Sequence, residues 1–335
     1  MMNEFKETVR KVTEVYGPSG RETKAGQLLT DMIRPYVDEI KFDALGNAVG
    51  IRKGTSGKKV MLSAHMDQIG LIVLDIDDKG FLRFAPVGGI SPEMTVGRDV
   101  VFQNGTRGVV CREQKNVTPP AALTQMFIDI GCSSREEAEA HVAMGDICVY
   151  AAHFVDMGSR VACCALDDRI CCAILVEAMK KIRSPHDIYC VFTSQEEVGC
   201  RGAQAAAYWI DPDFGINLDV TASADTPECN PMPMKLGGGP TIKYKDRSAV
   251  ITKPVIEFMH RVADKHGIKV QNEVLPYGGT DASAVQTTRG GKPACCVSVA
   301  TRYIHSPIET ADLNDCLGAV DFVCAMAEEA ELPLE

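Results

Sequence analysis

The chain has 335 residues, 45% of them hydrophobic and 24% charged, a composition typical of a folded globular protein with room for one large domain or two smaller ones. Its formal net charge of −10 is spread along the sequence without an acidic tail, which sets a nucleic-acid partner aside and leaves the substrate open. No apolar run approaches the roughly 18 residues that cross a bilayer, so no membrane partner is expected.

The first predicted element is a helix, because Phe5, Val9, Val12 and Tyr16 share one face. Glu4, Lys6 and Glu7 lie among them and exclude an export signal, so a cytoplasmic location is expected. The fourteen cysteines fit a reducing compartment. Three adjacent pairs, Cys163-Cys164, Cys171-Cys172 and Cys295-Cys296, sit in apolar stretches, and no C-x-x-C occurs. They are expected to be small buried hydrophobes, with neither disulfides nor a zinc finger.

A second helix over about 25–34 precedes two strand-like segments, EIKFDALGNAVGIRKG and KKVMLSAHMD. From Gly70 to about Ser159 the texture changes to short Val- and Ile-rich runs between turn residues, the pattern of a small β-rich domain. Its one helix-like piece, SSREEAEAHVAMG, offers Ser133 and Glu136 as a capping box. From Asp167 onward helix and strand alternate: DDRICCAILVEAMKKI, HDIYCVFTSQEE, GCRGAQAAAYWI and FGINLDV. TKPVIEFMHRVADKHG follows, with Thr252 as N-cap and Pro254 in the first turn. The last helix, DLNDCLGAVDFVCAMAEEA, has Leu313, Leu317, Val320 and Cys324 on one stripe. Alternation of this kind predicts an α/β layered sheet, formed by 1–69 and 160–335 and interrupted by a β-rich insert over 70–159.

Acidic and imidazole groups recur where strands end: His65 and Asp67, Asp167 and Asp168, Glu196 and Glu197, Asp219, and His305. In α/β sheets the crevice beyond the carboxyl ends of the strands binds ligands. His65 and Asp67 stand two apart, so on a strand they share a face and the carboxylate can fix the imidazole's tautomer for a metal. Glu196 and Glu197 diverge as neighbours, leaving one for a metal and the other for a water. His65, Asp167, Glu197, Asp219 and His305 make five ligands, whereas two catalytic ions with about three protein ligands each need six bonds. One carboxylate must bridge, and Asp167, at a helix start, suits that position.

The strings SAHMDQIGLIV, ALDDR, TSQEEVGCRGA, LDVT, GGTDASA and RYIHSP, in that order, resemble the glutamyl and tetrahedral aminopeptidase family of co-catalytic metallopeptidases over nearly the whole chain. The resemblance implies a three-layer α/β/α catalytic domain carrying an inserted small β-barrel that makes dimer contacts. It implies one metal on His65, Asp167 and Asp219 and another on Asp167, Glu197 and His305, with Glu196 as general base and Asp67 orienting His65. Two divalent ions, Zn2+ or Co2+, are the expected cofactors, and short peptides the expected substrates. The expected assembly is a homo-oligomer, which in the family reaches closed particles of about twelve chains. Cys171 and Ala222 stand where the family commonly has glycine and histidine, and Glu228 lies near a position usually held by glycine. Asp281 and Arg302 are expected to shape the pocket.

Two rivals remain. One is a glycosidase using Glu196 and Glu197, which the 6% aromatic content and single tryptophan, Trp209, disfavour for sugar stacking. The other is a catalytically silent peptide-binding or assembly subunit, which the complete ligand set argues against.

Overall fold

The computed structural model describes residues 2–115 and 122–333. Helices α1 (Met2–Thr13) and α2 (Thr23–Ile33) open the chain, followed by β1 (Glu39–Phe42), β2 (Ala48–Arg52) and β3 (Lys59–His65). The next strands are β4 (Gly70–Ile76), β5 (Leu82–Val87), β6 (Asp99–Phe102), β7 (Arg107–Arg112), β8 (Met126–Asp129) and β9 (Ile147–Tyr150), with short helices α3 (Pro92–Thr95) and α4 (Arg135–Glu139) between them. Then come β10 (Val155–Met157), β11 (Arg160–Cys163), α5 (Leu166–Lys181), β12 (Asp187–Thr193), α6 (Arg201–Ile210) and β13 (Phe214–Ala222). The chain ends with β14 (Thr241–Lys245), α7 (Lys253–His266), β15 (Gln271–Val274), α8 (Asp281–Gln286), β16 (Ala294–Arg302), β17 (Glu309–Asp312) and α9 (Leu313–Glu328).

The main sheet runs β1-β2-β12-β3-β13-β16-β17-β11-β10, with β14 and β15 joined through β16. Its centre, β12-β3-β13-β16, is parallel. Alternation along these strands shows why helices cover both faces. Val60, Leu62 and Ala64 of β3 enter the core shared with α1, α2, α5 and α9, whereas Met61 faces a second core. That second core holds Val49, Ile51, Tyr189 and Val191 from neighbouring strands, Ala206, Ala207 and Ile210 of α6, and Val285 of α8. Strands buried on both faces are what a parallel sheet requires, and the expected α/β/α layering is present.

Strands β4-β5-β8-β7-β6-β9 close into an antiparallel barrel, the β-rich insert anticipated from the change in texture. Val155–Met157, inside the expected insert, instead pairs with β11 at the edge of the main sheet. The predicted capping box is displaced by one residue: Ser134 Oγ accepts from the Glu137 amide at 3.2 Å, and Glu137 Oε2 accepts from the Ser133 amide at 2.8 Å. Thr252 does hold the N-cap position of α7, without a side-chain hydrogen bond to the helix. The cysteines are all unpaired, and no described helix is long and apolar enough to cross a membrane.

Candidate active site

The parallel strands deliver the predicted residues to one end of the sheet. His65 is the last residue of β3, and Asp167 and Asp168, joined by a cis peptide bond, begin α5. Glu196 and Glu197 lie in the loop after β12, and His305 in the loop after β16. Asp219 sits inside β13, not at its end. The strand runs on to Ala222, but its pairing with β3 stops at Asn217, which leaves Asp219 free on that side.

At the centre of the cluster is Asp167. Its Oδ1 lies 3.0 Å from His65 Nε2 and its Oδ2 lies 3.4 Å from His305 Nε2, while His305 Nε2 is 3.2 Å from Glu197 Oε2. Two overlapping groups result, His65-Asp167-Glu197 and His65-Asp168-Asp219, each with donor atoms within 4.8 Å of one another. His305 joins the first through Asp167 and Glu197.

Asp67 occupies a different place from the one its spacing suggests. It lies past the end of β3, and His65 Nδ1 meets the Asp67 backbone carbonyl at 3.1 Å, with the carboxylate at 3.4 Å. Beside this contact with His65, the carboxylate has further partners: it accepts from Ser19 Oγ at 2.6 Å and from the amides of Glu196 and Glu197 at 3.0 and 3.2 Å. Asp67 thus pins the turn that presents both glutamates.

Glu309, not singled out in the sequence, does the same on the other side. Its carboxylate accepts from the Asp167 amide at 2.9 Å and the His305 amide at 2.8 Å. Glu22 accepts from the Gln195 amide at 3.2 Å. A supporting carboxylate leaves no side-chain spacing signature, because its partners are backbone amides, and for Glu309 one of them, Asp167, is remote in sequence.

Backbone strain gathers at the same place. Ala165, Gln195, Cys200, Tyr303 and His305 all have φ between 53° and 62°, a region that non-glycine residues seldom adopt and that concentrates at functional sites. The barrel reaches in as well. A Cβ on Gly89 would lie 2.6 Å from His305 Nδ1, so only glycine fits beside that imidazole.

Burial dominates the electrostatics. It pushes the Glu196 carboxyl up to about 8, with Asp281 and Glu197 adding to the rise, and it raises Asp219, assisted by Asp168. Burial also raises Asp168 and Glu309. For Asp167 the burial penalty is outweighed by His305 and His65, which hold it below the usual carboxylate range. For His305 burial acts downward, but Asp167 and Glu197 overcome it and lift the imidazole to about 12.

Eight carboxyl groups (Asp67, Asp167, Asp168, Glu196, Glu197, Asp219, Asp281 and Glu309) therefore crowd around two imidazoles. Three buried oxygens, Asp168 Oδ1, Glu197 Oε1 and Asp281 Oδ1, find no hydrogen-bond partner. An excess of buried anionic oxygen that lacks donors is what a bound cation corrects, and mixed imidazole and carboxylate donors suit borderline divalent ions. The residues present fit a metal.

A cavity of about 770 Å³ opens onto the cluster, lined by His65, Asp167, Glu196, Glu197, Asp219 and His305 among others. Ala222 lines it. Cys171 is buried, its thiol raised by burial and by Asp168, and Glu228 takes a φ of 52°, a conformation that favours glycine. Asp281 lies buried behind the cavity, accepting from Thr193 Oγ1 at 2.6 Å. Arg302 is outside the lining, paired with Asp225 at 2.9 and 2.7 Å.

An α/β/α sheet with a carboxylate and imidazole cluster fit for a metal at its strand ends, and a barrel inserted beside it, has the arrangement of a metal-dependent hydrolase. A family model for the M42 glutamyl aminopeptidases matches residues 46–322, and the chain belongs to that family: it is a metallo-aminopeptidase, an exopeptidase. It is 45% identical over 314 residues to an Acetivibrio thermocellus protein with a provisional aminopeptidase name, covering 93% of this chain and 95% of that one. The fold superimposes on an aminopeptidase of the archaeon Desulfurococcus kamchatkensis with a TM-score of 0.95 at 35% identity, over 99% and 96% of the two chains. For the Pyrococcus horikoshii TET1 peptidase, described as assembling into a tetrahedron or a large octahedral shell, the TM-score is 0.87 at 33% identity, over 97% and 99%.

Proposed function

We propose that this chain removes N-terminal residues from short peptides in the cytoplasm with two divalent ions, Zn2+ or Co2+. His65, Asp167 and Asp219 would hold one, and Asp167, Glu197 and His305 the other. The observation that carries this reading is Asp167, whose two oxygens address different imidazoles, at 3.0 and 3.4 Å, as a bridging carboxylate must. Bound ions supply Lewis acidity that activates a water and polarises a carbonyl, and an anchor for a free α-amine.

The chain's own groups do the rest. Glu196 accepts the water's proton and returns it to the departing amine; a carboxyl raised by burial is suited to both transfers. Asp67 positions Glu196 and Glu197 through their amides, and Glu309 positions Asp167 and His305. The catalytic unit is the main sheet with its helices, including Val155–Met157, and the barrel β4–β9 within the expected 70–159 insert mediates a homo-oligomer, with the tetrahedral and octahedral shells described for TET1 and the dodecamer described for PhTET1-12s as precedents for a closed assembly of about twelve chains.

The test is hydrolysis of a peptide panel with free and acetylated N-termini, with light scattering on the same sample. Cleavage confined to free N-termini in an oligomer is expected. Cleavage of acetylated peptides at equal rate would contradict the exopeptidase mechanism, turnover of glycosides after metal removal would favour the glycosidase reading, and metal binding without turnover would favour a silent subunit.

A further inference from the structure

Glu196 also belongs to a second group of donors, with Cys200 and Asp281, that the dinuclear site does not use as ligands. Cys200 Sγ donates to Glu196 Oε1 at 3.1 Å, and the donor atoms of Cys200, Glu196 and Asp281 all lie within 4.8 Å of one another. Cys200 and Glu196 line the cavity, so the group is open to solutes. Asp281 is only 2% exposed, and its Oδ1 has no hydrogen-bond partner. A buried carboxylate with an unpartnered oxygen, grouped with a thiol and a second carboxylate, is a donor set that fits a cation, and a sulfur donor selects a borderline or soft one over Mg2+ or Ca2+.

We propose that Cys200, Glu196 and Asp281 form a third metal site, one that takes Zn2+ or Cd2+ and switches the enzyme off. The inhibitory part rests on Glu196 being the general base. As the sulfur-metal bond forms, the Cys200 thiol gives its proton to the buffer. Glu196, now a ligand, no longer accepts a proton from water. The fourth position is left to solvent, since three protein ligands complete no tetrahedron. A cysteine at the start of α6 therefore makes activity depend on free zinc, with the dinuclear centre filled first and this site at higher concentration.

The experiment uses full-length protein already loaded with two equivalents of Zn2+ and titrates Cd2+. Bound metal is read by elemental analysis after equilibrium dialysis, and the thiolate-to-cadmium charge-transfer band in the ultraviolet is read alongside. The expected result is a third equivalent whose binding brings up the band while turnover falls in parallel. Cys200→Ala should weaken the third equivalent by about tenfold or more and remove the corresponding part of the band. Cys200→Ser and Asp281→Asn should weaken it too, with retention of the first two equivalents certifying the fold. Saturation at two equivalents, or a band unchanged in Cys200→Ala, would overturn the third site. A third equivalent that binds through Cys200 without loss of turnover would instead remove Glu196 from the base's role, and failure to hold the first two equivalents would strike the dinuclear reading itself.

Discussion

Asp67→Asn isolates a positioning role from a ligand role. Asp67 is fully buried, so solvent does not soften the change. Its carboxylate accepts three bonds, Oδ1 from the Glu196 amide and Oδ2 from Ser19 and the Glu197 amide. Asparagine keeps a single oxygen. The less damaging placement leaves that oxygen on the Ser19 side and turns the new NH2 toward the Glu196 amide, donor against donor. At least one hydrogen bond to a charged group is lost, about 1.5–3 kcal/mol, and it is the bond that fixes the backbone of the proposed base. At about 1.4 kcal/mol per tenfold, kcat should fall roughly 10- to 10²-fold. His65 keeps its contact with the Asp67 carbonyl, so metal content should stay near that of the unmodified protein. The assay is kcat and KM on an aminoacyl p-nitroanilide at saturating metal, with metal analysis of the same samples. An Asp67→Asn protein with unchanged kcat would refute the positioning argument; one that loses metal in proportion to rate would show that Asp67 acts through His65 instead.

Gly89→Ala places a Cβ 2.6 Å from His305 Nδ1 and should lower occupancy of the His305 metal, read by elemental analysis, while circular dichroism shows the fold intact. Exhaustive chelation should abolish activity and added Zn2+ or Co2+ restore it; full activity without metal would be decisive against the dinuclear scheme. Lys243 and Glu273 form a fully buried ion pair in which Thr221 and Thr241 also donate to the carboxylate at 2.8 and 2.5 Å. Lys243→Met should destabilise the chain by about 3–5 kcal/mol, measured by chemical denaturation, because a buried carboxylate is left without its cation.

The fold was readable where one periodicity operates. The α1 face, the α9 stripe and the alternation of helix and strand after Asp167 follow from patterns of 3.6 and 2 residues. Strands covered on both faces are apolar at nearly every position and show no alternation: Asp187–Thr193 and Phe214–Ala222 are legible only as short apolar runs between turn residues, and Ala294–Arg302, equally buried, was not assigned. Burial along it confirms this, with Ala294 to Thr301 buried throughout. The capping box slipped by one because SS precedes REE, which offers two registers of Ser-x-x-Glu, and only the observed bonds to Ser134 and Ser133 choose between them.

The candidate ligands were legible because imidazoles and carboxylates at strand ends are conspicuous in an apolar context. Their supports were not. Glu309 and Glu22 act on backbone amides, Gly89 acts by lacking a side chain, and the left-handed turns at Gln195, Tyr303 and His305 occur in residues that do not announce them. Asp67 shows the limit from the other direction: the spacing named the right residue, but its partners are set by where β3 stops.

The central claim is that adjacent glutamates do different work, Glu197 holding metal and Glu196 moving a proton. The most direct measurement is metal stoichiometry by elemental analysis beside turnover for Glu196→Gln and Glu197→Gln. Glu196→Gln keeps shape and hydrogen-bonding reach without a basic oxygen, so turnover should fall by about 10²- to 10⁴-fold with both metals retained. Glu197→Gln removes an anionic donor and should lose metal as well as rate. Loss of metal in Glu196→Gln with retention in Glu197→Gln would exchange the two roles, and full metal and activity in both would contradict the site altogether.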